Sequence, residues 1–265
     1  MSLLAKAAKS GRDIVTVTPR SAGWRYVGFA AKRLAAGETF SLSTGAREHC
    51  IVVLSGIVSV HATGQAWCEI GARKSVFDDL SPYAVYLPAN ADATIAAHTP
   101  AEVGLASAPG TGRLPARLIE PETMRRSVRG RDANTRCICD ILPQGEPADH
   151  LLVVEVRTPA GHSSSYPPHK HDTDNPPHES FLEETYYHRI RPSQGFAFQR
   201  VYTDDLSLDE TMTVEDHDVV MVPRGYHPVC APYGYDLYYL NVMAGPSRRW
   251  VFRNDPRHEW MLKGV

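Results

Sequence analysis

Apolar residues occur along this chain in short runs that glycine, proline and polar residues separate from one another. Within many runs apolar and polar positions alternate, which is the spacing of a β-strand with one buried face. The predicted strands of the first half are WRYVGFAAKRLA, TFSLST, HCIVVLSGIVSVHA, SVFD, YAVYLPA and ATIAA. Those of the second half are HLLVVEVRTP, LEETYYHRI, GFAFQRVYT, MTVEDHDVVMVPRG and YDLYYLNVMAG. Helical spacing is rare, so the pattern predicts an all-β sandwich or barrel.

The two halves of the chain follow a similar plan. In each, one strand is followed later by a strand that ends in proline: CIVVLSG precedes VYLPA, and FAFQR precedes VVMVPRG. Residues 109–130 are rich in proline, glycine and arginine and lose the strand alternation, as expected for a linker. We therefore predict two similar β domains, an N-terminal domain at 1–120 and a C-terminal domain at 121–265.

Composition narrows the classes of partner. The net charge of the 265 residues is -2 and no block of lysine and arginine occurs, which argues against a nucleic-acid partner and favours a small molecule. The five cysteines are scattered without a Cys-x-x-Cys pair, as expected in a reducing cytoplasm. No signal peptide and no run of 18 apolar residues is found, so we expect a cytoplasmic protein without a membrane span.

A pair of histidines on one predicted strand is the strongest indication of chemistry. His169 and His171 lie in PPHKHD, and alternation on a strand directs both imidazoles to the same face. His227 follows the turn-forming sequence Pro-Arg-Gly, where a loop can carry a ligand into a cavity. Three imidazoles with one carboxylate are suited to Zn, Mn, Fe(II), Co or Ni rather than to Mg or Ca.

The carboxylate comes from the acidic pair that begins EETYYHRI. Alternation places Glu184, Tyr186 and His188 on one face of the strand and Glu183 on the other, so only one of the two glutamates can enter a barrel. We predict Glu184 as the ligand and keep Glu183 as the alternative. The first half has isolated histidines without this set, and we expect it to be structural, with dimerisation in a homo-oligomer as one role.

These residues resemble the metal-binding pattern of the cupin superfamily, whose members are small jelly-roll barrels with metal at the barrel mouth. More specifically, PPHKHD, LEETYY, QGFAFQRVYTDD, VPRGYHPV and YDLYYLNVMAGP resemble the 5-deoxy-glucuronate isomerase family of bacterial myo-inositol catabolism. The resemblance implies a bicupin, two jelly-roll β-barrel domains in tandem, with metal only in the C-terminal barrel. It also implies the conversion of 5-deoxy-D-glucuronate to 5-dehydro-2-deoxy-D-gluconate.

Three features depart from the general cupin pattern. A long segment, DTDNPPHESFLE, separates His171 from Glu184, the expected glycine is displaced to Gly195, and the expected asparagine occurs only at Asn241. The register of the glutamate therefore depends on the specific family resemblance.

A sugar-acid substrate requires a group that binds its carboxylate. Alternation in GFAFQRVYTDD places Arg200 and Tyr202 on one face, and a guanidinium can bind a carboxylate with two parallel hydrogen bonds. We predict that Arg200 and Tyr202 bind the substrate, with a surface ion pair to Asp204 or Asp205 as the alternative for Arg200. The catalytic base is not identified by the sequence, and Lys170, between the two histidines, is expected to be solvated.

Fold and ligands alone leave other functions open. An iron-dependent dioxygenase uses the same kind of ligand set, and a non-catalytic sugar-acid-binding bicupin would bind without turnover. A uronate isomerase of pectin breakdown is the nearest enzymatic alternative.

Overall fold

The computed structural model describes residues 2–262, which form β-strands with few helical turns. The strands of the first half are β1 (Leu4–Ala5), β2 (Asp13–Val17), β3 (Gly28–Leu34), β4 (Thr39–Ser43), β5 (Arg47–Ser55), β6 (Val58–Ala62), β7 (Gln65–Ile70), β8 (Ala84–Leu87), β9 (Asp92–Ala97), β10 (Ala101–Pro109) and β11 (Arg117–Ile119). Those of the second half are β12 (Arg125–Arg129), β13 (Arg136–Leu142), β14 (Leu152–Thr158), β15 (Ser163–Ser164), β16 (His169–Lys170), β17 (Asp172–Asn175), β18 (Glu179–Phe181), β19 (Glu183–Arg191), β20 (Phe196–Tyr202), β21 (Asp209–Glu215), β22 (Val219–Val222), β23 (Val229–Cys230), β24 (Asp236–Ala244) and β25 (Arg253–Asn254). The helical elements are α1 (Pro19–Ala22) and 3-10 turns at Pro121–Thr123, Asp132–Asn134 and Glu259–Leu262.

Each half packs a large sheet against a small one, so the predicted all-β fold with two jelly-roll domains in tandem is confirmed. In the first half the sheet β11-β8-β5-β10-β3-β2 faces β4-β9-β6-β7, with one apolar core between them. In the second half β1-β22-β19-β24-β14-β13-β12 faces β15-β23-β20-β21 across another core. No helix in residues 2–262 is long and apolar enough to span a membrane.

The two large sheets also pack against each other, and a third core lies between them. Strands β5, β10, β14 and β24 therefore have both faces covered. A strand that is buried on both sides has no need of polar residues on alternate positions. This arrangement explains the near-continuous apolar runs CIVVLS and LLVVEV, in which alternation is weak.

The order of the strands shows that the halves are topological repeats. Strands β8, β5, β10, β3 and β2 occupy the places that β22, β19, β24, β14 and β13 occupy in the second sheet. The proline-ended strands VYLPA and VVMVPRG correspond, as the sequence indicated. The match of CIVVLSG with FAFQR was wrong. CIVVLSG, in β5, corresponds to EETYYHRIR in β19, and FAFQR, in β20, corresponds to β6.

Strands β1 and β11 hold corresponding edge positions of the two large sheets, and β1 joins the sheet of the other half. Strand β1 pairs with β22, and β11 pairs with β8. The predicted division into 1–120 and 121–265 lies between β11 and β12, and β1 crosses it; residues 1 and 263–265 lie outside the described chain. The division into these two domains therefore stays a prediction.

Two buried carboxylates join the halves reciprocally. Glu48 on β5 accepts hydrogen bonds from the backbone N–H groups of residues 149–151, at 2.6 to 2.7 Å. Glu183 on β19 accepts from the backbone N–H groups of residues 25–27, at 2.7 to 3.0 Å. Hydrogen bonds to a buried charged group are stronger than neutral ones, and their loss leaves buried groups unsatisfied. Each repeat thus fixes a loop of the other.

Candidate metal centre

The structure brings together three imidazoles and one carboxylate from separate elements of the C-terminal half. His169 lies on β16, His171 directly follows it, and His227 lies after β22; one ligand nitrogen from each is within 4.8 Å of the others. Glu184 on β19 places its Oε2 atom 3.2 Å from Nε2 of His171 and 3.2 Å from Nε2 of His227. The three imidazoles therefore lie within reach of one ion, and Glu184 lies beside two of them.

A tight turn directs His227 inward. Gly225 has a φ of +88°, and a Cβ at this position would lie 2.4 Å from the carbonyl oxygen of Tyr202, so a side chain is excluded. The backbone N–H of Gly225 donates to Asp172 at 2.8 Å, which connects this turn to the segment after His171. The glycine of the sequence Pro-Arg-Gly before His227 is therefore required by the geometry.

Lys170 is buried rather than solvated, which corrects the expectation from the sequence. Its ammonium group forms ion pairs with Asp172 and with Glu179 at 3.0 Å. Both carboxylates come from the long segment between His171 and Glu184, which folds as the hairpin β17–β18. The added segment thus neutralises Lys170 and supports the strand that carries the histidines.

Each imidazole is held through its other nitrogen. The Nδ1–H group of His171 donates to the carbonyl oxygen of Leu182 at 3.1 Å, and that of His227 donates to the carbonyl oxygen of Gly225 at 2.9 Å. His169 is similarly bonded to the backbone of Pro167. The remaining Nε2 atom of His227 is buried without a hydrogen-bond partner. Such an orientation, with one nitrogen fixed and the other free, is typical of metal-ligating histidines.

Burial keeps most of this set in the neutral form that a metal requires. It lowers the pKa of His169 and that of His227 to about 3, and neighbouring histidines add to the effect. Burial also acts on His171, but the hydrogen bond and charge of Glu184 outweigh it and raise the pKa. The donor set of three nitrogens and one carboxylate fits a divalent transition metal.

The two adjacent glutamates have different tasks. Oε1 of Glu184 accepts a hydrogen bond from the side chain of Asn241 at 2.6 Å, which leaves Oε2 directed at the histidines. Glu183 points to the other side of β19, where it binds the loop of residues 25–27. The asparagine that seemed displaced in the sequence therefore positions the carboxylate from the neighbouring strand β24.

A cavity of about 280 Å³ opens beside the centre, and both His169 and Glu184 line it. This volume is at the lower end of the range for small-molecule sites, roughly 300–1,000 Å³. Its walls combine hydroxyl and amide groups with apolar side chains, among them Tyr186, Tyr239, Asn241, Trp250 and Phe252. The site therefore suits a small polar molecule.

Arg200 and Tyr202 do not reach this cavity. They share one face of β20 as alternation indicated, but Ala197, Gln199 and Val201 take the inner face. Arg200 is paired with Asp209 at 2.7 Å and its side chain is 42% exposed. The hydroxyl of Tyr202 donates to Asp255 under the C-terminal segment. Arg200 therefore forms a surface ion pair, as the alternative expected, but its partner is Asp209 and not Asp204 or Asp205.

The guanidinium groups that do line the cavity belong to Arg129 and Arg136. Both lie in or beside the segment interpreted from the sequence as a linker. They reach the centre because β12 and β13 pair at the edge of the large sheet. The clustering of arginines in this segment was visible in the sequence, but its place next to the cavity was not.

Replacement of Glu183 and of Glu184 by alanine distinguishes the structural role of the first from the metal-binding role of the second. We expect Glu184→Ala to lose most of the metal during purification, at least tenfold, because the only carboxylate of the centre is removed. We expect Glu183→Ala to keep its metal but to lose about 2–4 kcal/mol of free energy of unfolding, because three backbone N–H groups lose their acceptor. Metal analysis and urea unfolding measure the two effects, and the reverse pattern would assign Glu183 to the centre.

Comparison with known proteins identifies the family of this chain. The model of the KduI/IolB family matches residues 3–261. A protein from Geobacillus thermodenitrificans named 5-deoxy-glucuronate isomerase is 55% identical over 251 residues, which cover 95% of this chain and 92% of that protein. An IolB-like protein from Salmonella typhimurium LT2 has a crystal structure with a TM-score of 0.98, 49% identity and coverage of 99% of this chain and 100% of that one.

More distant structures share the fold alone. An oxalate decarboxylase from Lactobacillus farciminis superposes with a TM-score of 0.63 at 14% identity, covering 96% of this chain and 88% of that one. With the family model spanning nearly the whole chain, and with a relative at 55% identity, this protein belongs to the KduI/IolB family.

Proposed function

We propose that this protein is a metal-dependent aldose-ketose isomerase that converts 5-deoxy-D-glucuronate to 5-dehydro-2-deoxy-D-gluconate in myo-inositol degradation. The observation that carries the proposal is the convergence of His169, His171, Glu184 and His227 at the wall of a small polar cavity. The names of relatives at about half identity support the choice of substrate.

The reaction moves protons between two neighbouring carbons. The proton on C2 and the proton of the C2 hydroxyl leave, while C1 and its oxygen each gain one proton. The aldehyde becomes an alcohol and the alcohol becomes a ketone, with no external oxidant. Negative charge develops on the oxygen atoms during the transfer, so the site must stabilise an anion.

The four ligands would hold a divalent ion such as Zn, Mn, Fe, Co or Ni, which supplies Lewis-acid stabilisation of that charge. The protein fixes the donors in advance. Backbone carbonyls orient His171 and His227, and Asn241 orients Glu184. Little reorganisation is then needed when the substrate arrives, which is the condition for effective electrostatic catalysis.

Tyr186 is the residue of the chain best placed to hold a proton in the cavity. Burial, together with the charge of Glu184, raises its pKa well above the ordinary value, so the hydroxyl stays protonated at neutral pH. Ser165 lies 3.2 Å from this hydroxyl and can relay its hydrogen bond. We assign to Tyr186 the donation of a hydrogen bond to a substrate oxygen on which negative charge develops.

The proposal also includes a cellular location and an oligomeric state. A cytoplasmic location and assembly as a homo-oligomer are consistent with the scattered free cysteines and with the apolar side chains exposed on the described surface, and both stay predictions.

The first test is anaerobic incubation of metal-loaded protein with 5-deoxy-D-glucuronate in deuterated water, followed by NMR. We expect the aldehyde signal to disappear and a ketone to form, and we expect this conversion to cease when a chelator removes the metal and to return when metal is added back. If protein confirmed to hold metal gives no conversion, the dioxygenase and the non-catalytic binding function become the better explanations. Faster conversion of a pectin-derived uronate would favour the related isomerase.

Tyr186→Phe tests this hydrogen-bond donor. We expect kcat to fall by roughly 100-fold, in the range for loss of one donor to a developing oxyanion, while the metal content stays unchanged. Tyr166→Phe, which removes another hydroxyl at the cavity wall, is the matched control and should change kcat less than fivefold. Equal effects of the two substitutions would argue against a specific role for Tyr186.

A further inference from the structure

We propose that Arg129 and Arg136 form the carboxylate-binding subsite of this cavity, and that they hold the acid end of the substrate while the aldehyde end lies at the histidines. This inference rests on the proposed function, because it assigns the substrate's orientation in the same site.

The two arginines are neighbours by strand pairing. Arg129 ends β12 and Arg136 begins β13, and the register places them directly opposite each other. Both line the cavity that His169 and Glu184 also line. Residues directly opposite in an antiparallel pair have close Cβ atoms, so two guanidinium groups are presented together at the cavity wall.

Within residues 2–262 this pair has no ion-pair partner, in contrast to nearby arginines, although the Asp140 carboxylate is close enough for its charge to interact with that of Arg129. Arg126, on the same strand as Arg129, shares Asp79 with Arg157, and Arg200 is paired with Asp209. Among residues 2–262, no carboxylate lies within ion-pair distance of Arg129 or Arg136.

Arg136 is partly fixed and partly free. It donates to the backbone carbonyl of Asn134 at 3.0 Å and to the side-chain oxygen of Asn134 at 3.2 Å, both through one terminal nitrogen. No hydrogen bond of its other guanidinium nitrogens is found in the described chain. Burial lowers the pKa of Arg136, and the like charge of Arg129 lowers it further. Two guanidinium groups side by side at the cavity wall repel each other when no anion is bound, and an anionic ligand relieves this repulsion.

The chemistry selects the ligand class. A planar carboxylate can accept parallel hydrogen bonds from a guanidinium fork, which a neutral sugar hydroxyl cannot match in strength. The site therefore favours a sugar acid over the corresponding neutral sugar, and it sets the direction in which the substrate lies.

A comparison of two substrates tests the subsite. The acid is 5-deoxy-D-glucuronate and its neutral counterpart is 5-deoxy-D-glucose, in which a CH2OH group replaces the carboxylate. We expect the wild-type protein to prefer the acid in kcat/KM. Arg129→Gln and Arg136→Gln should each reduce kcat/KM for the acid by about 10- to 100-fold, the range for loss of a charged hydrogen bond, with little change for the neutral sugar.

Two controls and an independent readout accompany the variants. Arg126→Gln removes a paired arginine from β12, the strand of Arg129, and Arg200→Gln removes the arginine that pairs with Asp209. Both variants should retain the preference for the acid. Arg136→Lys should recover only part of it, because an ammonium lacks the planar fork. Calorimetry with 2-deoxy-D-gluconate, an acid with no aldehyde or ketone, measures carboxylate binding without turnover, and metal analysis confirms an intact centre.

The outcomes separate the two proposals. In one outcome, the wild-type protein isomerises the acid while the double variant Arg129→Gln/Arg136→Gln keeps the same preference and the same calorimetric Kd for 2-deoxy-D-gluconate. That result overturns the subsite and leaves the isomerase proposal standing. If wild-type protein fails to isomerise the acid but binds 2-deoxy-D-gluconate through the two arginines, the isomerase is overturned and the carboxylate subsite stands. Both proposals are supported if the wild-type protein isomerises the acid and the double variant Arg129→Gln/Arg136→Gln loses acid binding and the preference for the acid.

Discussion

The register of strand β19 is the constraint on which the rest of this structure depends. Adjacent residues on it face opposite ways, so Glu183 holds a loop of the other repeat while Glu184 faces the histidines. A shift of one residue would exchange the two carboxylates and would turn every side chain of the strand to the wrong face. The same strand therefore fixes how the halves pack and where the metal ligands meet.

The first repeat retains the structural half of this arrangement. Glu48 pairs with Ala108 as Glu183 pairs with Ala244, and both carboxylates bind backbone N–H groups of the opposite repeat. The position that corresponds to Glu184 is occupied by His49, which is half-buried and whose pKa burial lowers to about 4. Within residues 2–262, the cluster suited to a metal lies in the second repeat.

Local sequence patterns were sufficient to predict features that are set within one strand or one turn. Alternation identified the all-β fold and placed His169 and His171 on one face, because these need only local geometry. The turn before His227 and the family resemblance were also needed to propose the rest of the centre. Long-range pairing decided the rest. Arg129 and Arg136 reach the cavity through an edge of the sheet, Lys170 is buried by a hairpin inserted after it, and Arg200 faces outward because its strand turns Gln199 inward. No short window of sequence contains these partners.

The most direct measurement is anomalous X-ray diffraction from crystals of the metal-loaded protein, recorded at the absorption edge of the bound element. The account predicts one strong peak in the C-terminal half, at roughly 2.0–2.2 Å from a nitrogen of His169, His171 and His227 and from an oxygen of Glu184. A peak elsewhere, or a loaded protein in which Glu184 does not contact the ion, would contradict the central claim that these four residues form the centre.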